Sequence, residues 1–373
     1  VVLVTAVMLL LGALVTPAAA EPAPSWDTKP RTPATIVSGA RPAPSSANHP
    51  PIGMPPRRHS AWLPFWTMAK SYQAVIDNQD VIGTASPFWY YNSDCTTISR
   101  YSGAADQAII DGLHSAGIQV IPSVVTDLGA ADFVACNSDP SVRAQHVAAL
   151  VAVATSRNYD GLDFDYENFI FPAGDAEGLA VRSVFTALVG ETCAALHQVG
   201  RVCSVTVMAK TNGAAFRGAG VYDYPALGAV ADRFRVMTYD EHIGTDPPGP
   251  IAGYPWVNAV AAYIHSTVPA DKVELGIPFY GRDWGGERTV TVTGPQAYAL
   301  AARYGAPIAY DPVQRAPYFG YSDGTNWHTV WFTNAQMVSD RIALAASYGF
   351  TKTTYWAAGQ EAPEVWTAIR AAG

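Results

Sequence analysis

From residue 60 onward, short apolar runs alternate with amphipathic stretches. The runs at 61–66, 81–90, 118–125, 159–167, 201–209, 234–240, 273–281 and 352–358 read as strands. Most are apolar at nearly every position, the pattern of parallel strands covered on both faces. Between them the spacing predicts helices. In 103–116, Ile109, Ile110 and Leu113 share one side; in 140–157, Val142, Val147, Leu150, Val151 and Val153 form a stripe; 175–198, 255–267 and 335–348 read alike. Gly117, Gly200 and Gly349 each stand just past one of these helices, where a left-handed cap residue is wanted. Strand–helix alternation repeated eight times implies an α/β fold, a TIM (β/α)8 barrel. One interval is too long. Between strands seven and eight, 285–331 holds an extra helix (295–304) and a hairpin signal at Asp323-Gly324, which predicts a small α+β insertion on the barrel rim.

The N-terminal stretch has a different character. Residues 1–15 are an apolar run followed by Thr16, Pro17 and three alanines, which reads as a secretory signal peptide (1–20) cleaved after Ala20. The run is shorter than the ~20 residues that span a bilayer, so no membrane association is expected after cleavage. Residues 21–58 carry ten prolines among Ala and Ser and read as an extended linker. The folded unit is then 59–373, secreted and expected to be a monomer. An exported chain with four cysteines, Cys95, Cys136, Cys193 and Cys203, is expected to form two disulfides. Three pairings are open; one joins Cys193 to Cys203 across a short loop and leaves Cys95 with Cys136. No Cys-x-x-Cys or His-x-x-x-His spacing occurs, so neither a metal nor a cofactor is expected. Acids outnumber bases 31 to 23. That balance argues against nucleic acid as a partner, because phosphate neutralisation needs a basic face.

The chemistry is concentrated in Asp160-Gly161-Leu162-Asp163-Phe164-Asp165-Tyr166-Glu167. Side chains alternate along a strand, so Asp163, Asp165 and Glu167 point one way and Leu162, Phe164 and Tyr166 the other. The apolar set suits the strand–helix interface; the acids then face the barrel interior, with Glu167 nearest the C-terminal mouth. Ionised carboxylates ~7 Å apart in a partly dry interior repel and lose hydration. No Lys or Arg lies between Arg157 and Arg182 to neutralise them locally. The easiest relief is for one acid to keep its proton. A protonated carboxyl beside a carboxylate is what glycoside cleavage needs. On this reading Glu167 is the acid, Asp165 its partner, and Asp163 the group beneath that takes up charge or a proton. Competing readings are a structural cluster satisfied by distant bases and a metal site. The calcium-loop pattern fails, since Asn168 or Phe169 stands where it demands Gly.

The run Asp160-Gly161-x-Asp163-x-Asp165-x-Glu167 resembles the signature of glycoside hydrolase family 18, the chitinase family. Met237-Thr238-Tyr239-Asp240 resembles the family's sixth-strand motif, Gly276 through Trp284 its seventh strand, and Trp356 its eighth-strand tryptophan. The segments 86–90, 237–242, 247–250 and Pro255-Trp256 look most like the bacterial branch that includes spore-germination and cell-wall N-acetylglucosaminidases. The resemblance covers 60–373. It implies a substrate-assisted retaining mechanism in which Glu167 protonates the glycosidic oxygen and the sugar's own 2-acetamido oxygen attacks its anomeric carbon. Asp165 would orient the acetamido N–H, Tyr239 would hydrogen-bond the acetamido oxygen, Asp240 would contact the sugar or tune Glu167, and Trp356 would floor the site.

Met237, Trp89 and Tyr280 are further candidates to line sugar subsites or to fill the barrel, and Trp66 is another. The expected function is that of a secreted glycosidase cutting β-1,4 bonds beside N-acetylglucosamine, with an N-acetylglucosamine polysaccharide, of chitin or of the bacterial cell wall, as partner. The alternative is a catalytically inactive, lectin-like carbohydrate-binding protein on the same fold. Such a lectin usually lacks the acid at the position of Glu167, which is present here.

Overall fold

The computed structural model describes residues 59–213 and 217–372. Residues 1–20 and 21–58, read above as signal peptide and linker, lie outside the described residues. Eight parallel strands close a barrel: His59–Pro64, Ile82–Asn92, a third strand in two pieces (Gln119–Val120 and Ser123–Thr126), Gly161–Asp165, Val202–Met208, Arg233–Met237, Val273–Pro278 and Lys352–Trp356. The first strand pairs with both the second and the eighth, which closes the ring. The third is broken around Pro122, which has no N–H for the ladder. Helices follow each strand, from Met68–Asp77 after the first to Glu364–Ala372 after the eighth. Gly117, Gly200 and Gly349 have φ of 70°, 67° and 78° and end their helices in the left-handed region.

The alternation read from the fourth strand is realised in packing. Leu162, Phe164 and Tyr166 are fully buried toward the helix layer. Tyr166 packs against Phe133 of helix Ala130–Asn137 and Phe185 of helix Asp175–Gln198. Asp163 faces the opposite way, into the barrel. The strand itself stops earlier than the apolar pattern suggests. It ends at Asp165, and Glu167 stands beyond it in a turn closed by the Ile170 N–H donating to the Glu167 carbonyl at 3.1 Å.

The seventh strand likewise stops at Pro278, and the chain leaves the barrel at once. Tyr280–Trp284 is the first strand of a second, antiparallel sheet. The insertion therefore begins at Tyr280, not at 285. Its five strands lie in the order Val290–Thr293, Tyr280–Trp284, Trp327–Trp331, Ala316–Ser322, Ala309–Asp311. Helix Gly294–Tyr304 covers one face, burying Ala297 and Ala301 against Val292, Phe319, Val330 and Phe332. The hairpin at Asp323-Gly324 is present: Ser322 pairs with Trp327, and the Asp323 Oδ1 accepts the N–H groups of Thr325 and Asn326 at 2.7 Å.

Both disulfides are formed. Cys95–Cys136 ties the loop after the second strand to helix Ala130–Asn137, and Cys193–Cys203 ties the end of helix Asp175–Gln198 to the fifth strand.

Candidate active site

Asp163 is the deepest of the three acids and is fully buried. Donors converge on it from four other strands. Trp62 Nε1 donates to Oδ2 at 3.3 Å, Ser123 Oγ to Oδ2 at 2.8 Å, and Ser204 Oγ to Oδ1 at 2.6 Å. Thr206 Oγ1 reaches both oxygens, at 3.1 and 3.2 Å. The Arg235 Nη1 lies 3.3 Å from Oδ2. The local absence of bases around the acidic strand is thus made good from the sixth strand. Arg235 also reaches Glu274 on the seventh strand at 3.0 Å, and Arg233 reaches the other oxygen of Glu274 at 2.9 Å. Burial pushes the Glu274 carboxyl up, but Arg235 and Arg233 outweigh it and hold its pKa at about 2.

Above this neutralised floor the acids rise toward the mouth. Asp165 is almost completely buried, whereas Glu167 is half-buried and borders open space. Two buried phenols face them. Burial, then the charges of Asp165 and other neighbours including Glu167, raises the Tyr239 hydroxyl far above the ordinary tyrosine range. Burial, then Glu167 and Asp165, does the same to Tyr222, whose hydroxyl donates to the Tyr166 carbonyl at 2.7 Å. Both phenols therefore keep their protons. Behind the strand, His146 bridges Asn137 Oδ1 (2.8 Å) and the Tyr166 hydroxyl (3.0 Å). Burial depresses the imidazole to about 4, so it is neutral.

Asp240 follows Tyr239 past the end of the sixth strand, in the left-handed region at φ 59°. That is an unfavourable place for a residue with a Cβ, and side-chain contacts hold it there. The Tyr280 hydroxyl donates to Asp240 Oδ1 at 2.5 Å, and Arg282 Nη2 to the same oxygen at 2.6 Å. Both donors come from the first strand of the insertion, so the inserted sheet is fastened to the turn that carries Asp240.

Two cavities of about 480 and 390 Å³ meet at Glu167. Glu167, Ile170, Phe171, Asp240 and Ile243 border both. Asp165 borders the larger; Tyr239, Met237 and Trp256 border the smaller. Of the candidates named from sequence, the structure thus brings Asp165, Glu167, Tyr239, Asp240 and Met237 together around one cleft, with Asp163 beneath and Tyr280 behind Asp240. It does not bring Trp89 there. That ring is fully buried and packs against Tyr159 in the core. Trp356 is half-buried in an aromatic cluster with Trp62, Trp66 and Phe88, 5.6–6.3 Å between centroids, and borders neither cavity. Sequence reasoning missed Arg235, Arg282, Tyr222 and Phe171. Arg235 carried a signal, since alternation along Arg235-Val236-Met237-Thr238-Tyr239 places it on the same inward face as Tyr239. Tyr222 stands in a short connecting segment with no periodicity to read.

Residues 66–361 match the sequence model of Glycosyl hydrolases family 18. The chain belongs to this family. Among proteins of known structure, a chitinase from Chromobacterium violaceum superposes with a TM-score of 0.75 at 28% identity, covering 84% of this chain and 98% of that one. The cortical fragment-lytic enzyme of Bacillus anthracis is 28% identical over 239 residues, 61% of this chain and 53% of its own length. The di-N-acetylchitobiase of Rattus norvegicus is 24% identical over 334 residues, 74% and 83% respectively. The chain spans about half the length of the sporulation-specific and cortical fragment-lytic Bacillus relatives it matches.

Proposed function

We propose that this chain is a secreted glycosidase that cleaves β-1,4 bonds adjacent to N-acetylglucosamine by a substrate-assisted, retaining route. The observation that carries the reading is the rising column of Asp163, Asp165 and Glu167, neutralised at its base by Arg235 and open to a cleft at its top. In the first step the Glu167 carboxyl gives its proton to the glycosidic oxygen as the C1–O bond breaks. The acetamido carbonyl oxygen of the same sugar closes on C1 and forms an oxazolinium ion. Asp165 accepts the acetamido N–H and stabilises the positive charge; Tyr239, protonated, donates to the acetamido oxygen and sets its line of attack. Water then attacks C1, returns its proton to Glu167 and opens the ring. A nucleophile supplied by the substrate accounts for a partner acid that orients the acetamide instead of attacking.

The test uses a chromogenic N-acetylglucosamine oligomer. Glu167→Gln should lower kcat by a factor of roughly 10² to 10⁴ with the fold intact. A thiazoline mimic of the cyclic intermediate should inhibit the wild type. Binding of the oligomer with no hydrolysis by the wild type would instead assign the lectin-like function.

A further inference from the structure

The ladder pairings of the fourth strand stop at Asp165, two residues before Glu167. A side chain that must deliver a proton needs its backbone held closely, and that hold has to come from outside the sheet. It comes from residues 217–222, which lead from the fifth strand to helix Tyr224–Val230. Three donors of this segment reach three carbonyls of the turn after the fourth strand. The Tyr222 hydroxyl donates to the Tyr166 carbonyl at 2.7 Å, the Gly218 N–H to the Ile170 carbonyl at 2.8 Å, and the Arg217 guanidinium to the Ala173 carbonyl at 2.9 Å. The Tyr166 carbonyl belongs to the peptide bond whose nitrogen is that of Glu167. Tyr222 is fully buried, with its ring centre 6.0 Å from that of Phe169 and 5.8 Å from that of Phe185. Its single O–H proton is committed to that carbonyl. Tyr222 is itself anchored. Lys210, just past the end of the fifth strand, is buried, donates from Nζ to the Tyr222 carbonyl and lies 4.4 Å from the centre of the Tyr224 ring.

We infer that Tyr222, backed by Lys210, is a positioning residue that aims the Glu167 carboxyl at the leaving oxygen. The inference rests on the reading of Glu167 as the acid and adds the device that holds it. Neither Tyr222 nor Lys210 borders the two cavities, so both act through the backbone and not on the sugar. A Tyr166–Glu167 peptide freed from Tyr222 can turn about its neighbouring bonds and swing the carboxyl with it. A misplacement of about 1 Å in a reacting group costs on the order of a hundredfold in rate. The bonds to Ile170 and Ala173 hold the far end of the same turn, which leaves Tyr222 as the grip nearest the acid.

The experiment compares two leaving groups on one sugar chain. A sugar hydroxyl leaves only with a proton, whereas dinitrophenolate spreads its charge over the nitro groups and departs with little help from an acid. The substrates are an N-acetylglucosamine oligomer and the dinitrophenyl glycoside of the same oligomer. The readout is kcat/KM, which covers the step in which the leaving group departs. Tyr222→Phe and Lys210→Met are assayed beside Glu167→Gln, with circular dichroism confirming each fold at the assay temperature. Tyr222→Phe should lose at least about tenfold on the unmodified oligomer and less than about threefold on the dinitrophenyl glycoside. Lys210→Met should show the same selectivity to a smaller degree, and it decides the matter if Tyr222→Phe does not fold. Losses of equal size on the two leaving groups mark a structural role alone and overturn the inference, as does an unchanged rate on the unmodified oligomer. The reading of Glu167 as the acid fails separately: it falls if Glu167→Gln slows both substrates alike.

Discussion

The Arg235 guanidinium, from the sixth barrel strand, lies 3.3 Å from the Asp163 carboxylate of the fourth, and both side chains are fully buried. Each neutralises what the other could not afford to leave alone in the barrel interior. Removing the cation by Arg235→Met strands Asp163 and half of the Glu274 pairing. Loss of one partner from a buried pair typically costs about 3–5 kcal/mol, and urea denaturation should show a loss of that size. The acid limb should change too. Arg235 and Arg233 hold Glu274 at about 2, below its unfolded value near 4.5. A depressed carboxyl contributes stability that is present above the unfolded pKa and lost as pH falls through the folded one. The wild type should therefore lose stability between about pH 4.5 and 2, and the variant should lose less across that window.

His146 gives a second, milder acid sensitivity. Burial lowers its pKa from 6.5 to about 4, so the unfolded chain binds the extra proton between those values. Stability from this group is fully present above about pH 6.5 and declines as pH falls toward 4. His146→Phe should flatten that decline. It should also destabilise the protein at pH 7 by roughly 1–3 kcal/mol, because Asn137 and Tyr166 lose a buried hydrogen-bond partner. Denaturant midpoints at pH 7 and pH 5 test both statements.

Asp240 should tolerate a narrow set of replacements. Asn enters the left-handed region more easily than other residues with a Cβ, and Gly enters it freely. Asp240→Asn should stay within about 1 kcal/mol of wild-type stability while hydrolysis falls, because the Arg282 pairing is lost. Asp240→Val should add a backbone penalty of roughly 1–3 kcal/mol. Thermal melts together with turnover of the chromogenic oligomer separate the two effects.

The disulfides should contribute unequally. Cys95–Cys136 spans 41 residues and Cys193–Cys203 spans 10. Loop-closure entropy then gives about 4 kcal/mol for the first and about 2.7 for the second. Cys95→Ala/Cys136→Ala should shift the urea midpoint more than Cys193→Ala/Cys203→Ala. Thiol titration of the unfolded, unreduced wild type should find no reactive cysteine.

All eight barrel strands were legible because parallel strands buried on both faces leave unbroken apolar runs. Their ends were not. The fourth run continues through Tyr166, whose ring is buried in the helix layer although its backbone has left the sheet, so hydrophobicity outlasts the hydrogen bonds. Tyr280 to Trp284 reads as a continuation of the seventh strand for the same reason, although a proline has already turned the chain into another sheet. In the site, the acids and Tyr239 were readable because strand alternation fixes a side. The compensation of Asp163 was not, because its cation is 72 positions away and only closure of the barrel brings it near. Trp89 shows the limit of composition: an aromatic near a strand end suits a sugar platform or a core equally well, and only burial separates them.

The grip of Tyr280 and Arg282 on Asp240 has a practical corollary. A hybrid built by trading the inserted sheet with that of another barrel, cut where the loops look most dispensable after Trp284, would leave both donors with the recipient but detach them from the strands that aim them. A junction placed before Tyr280 moves sheet and donors as one part, and the exchange then tests the whole rim instead of breaking the turn at its centre.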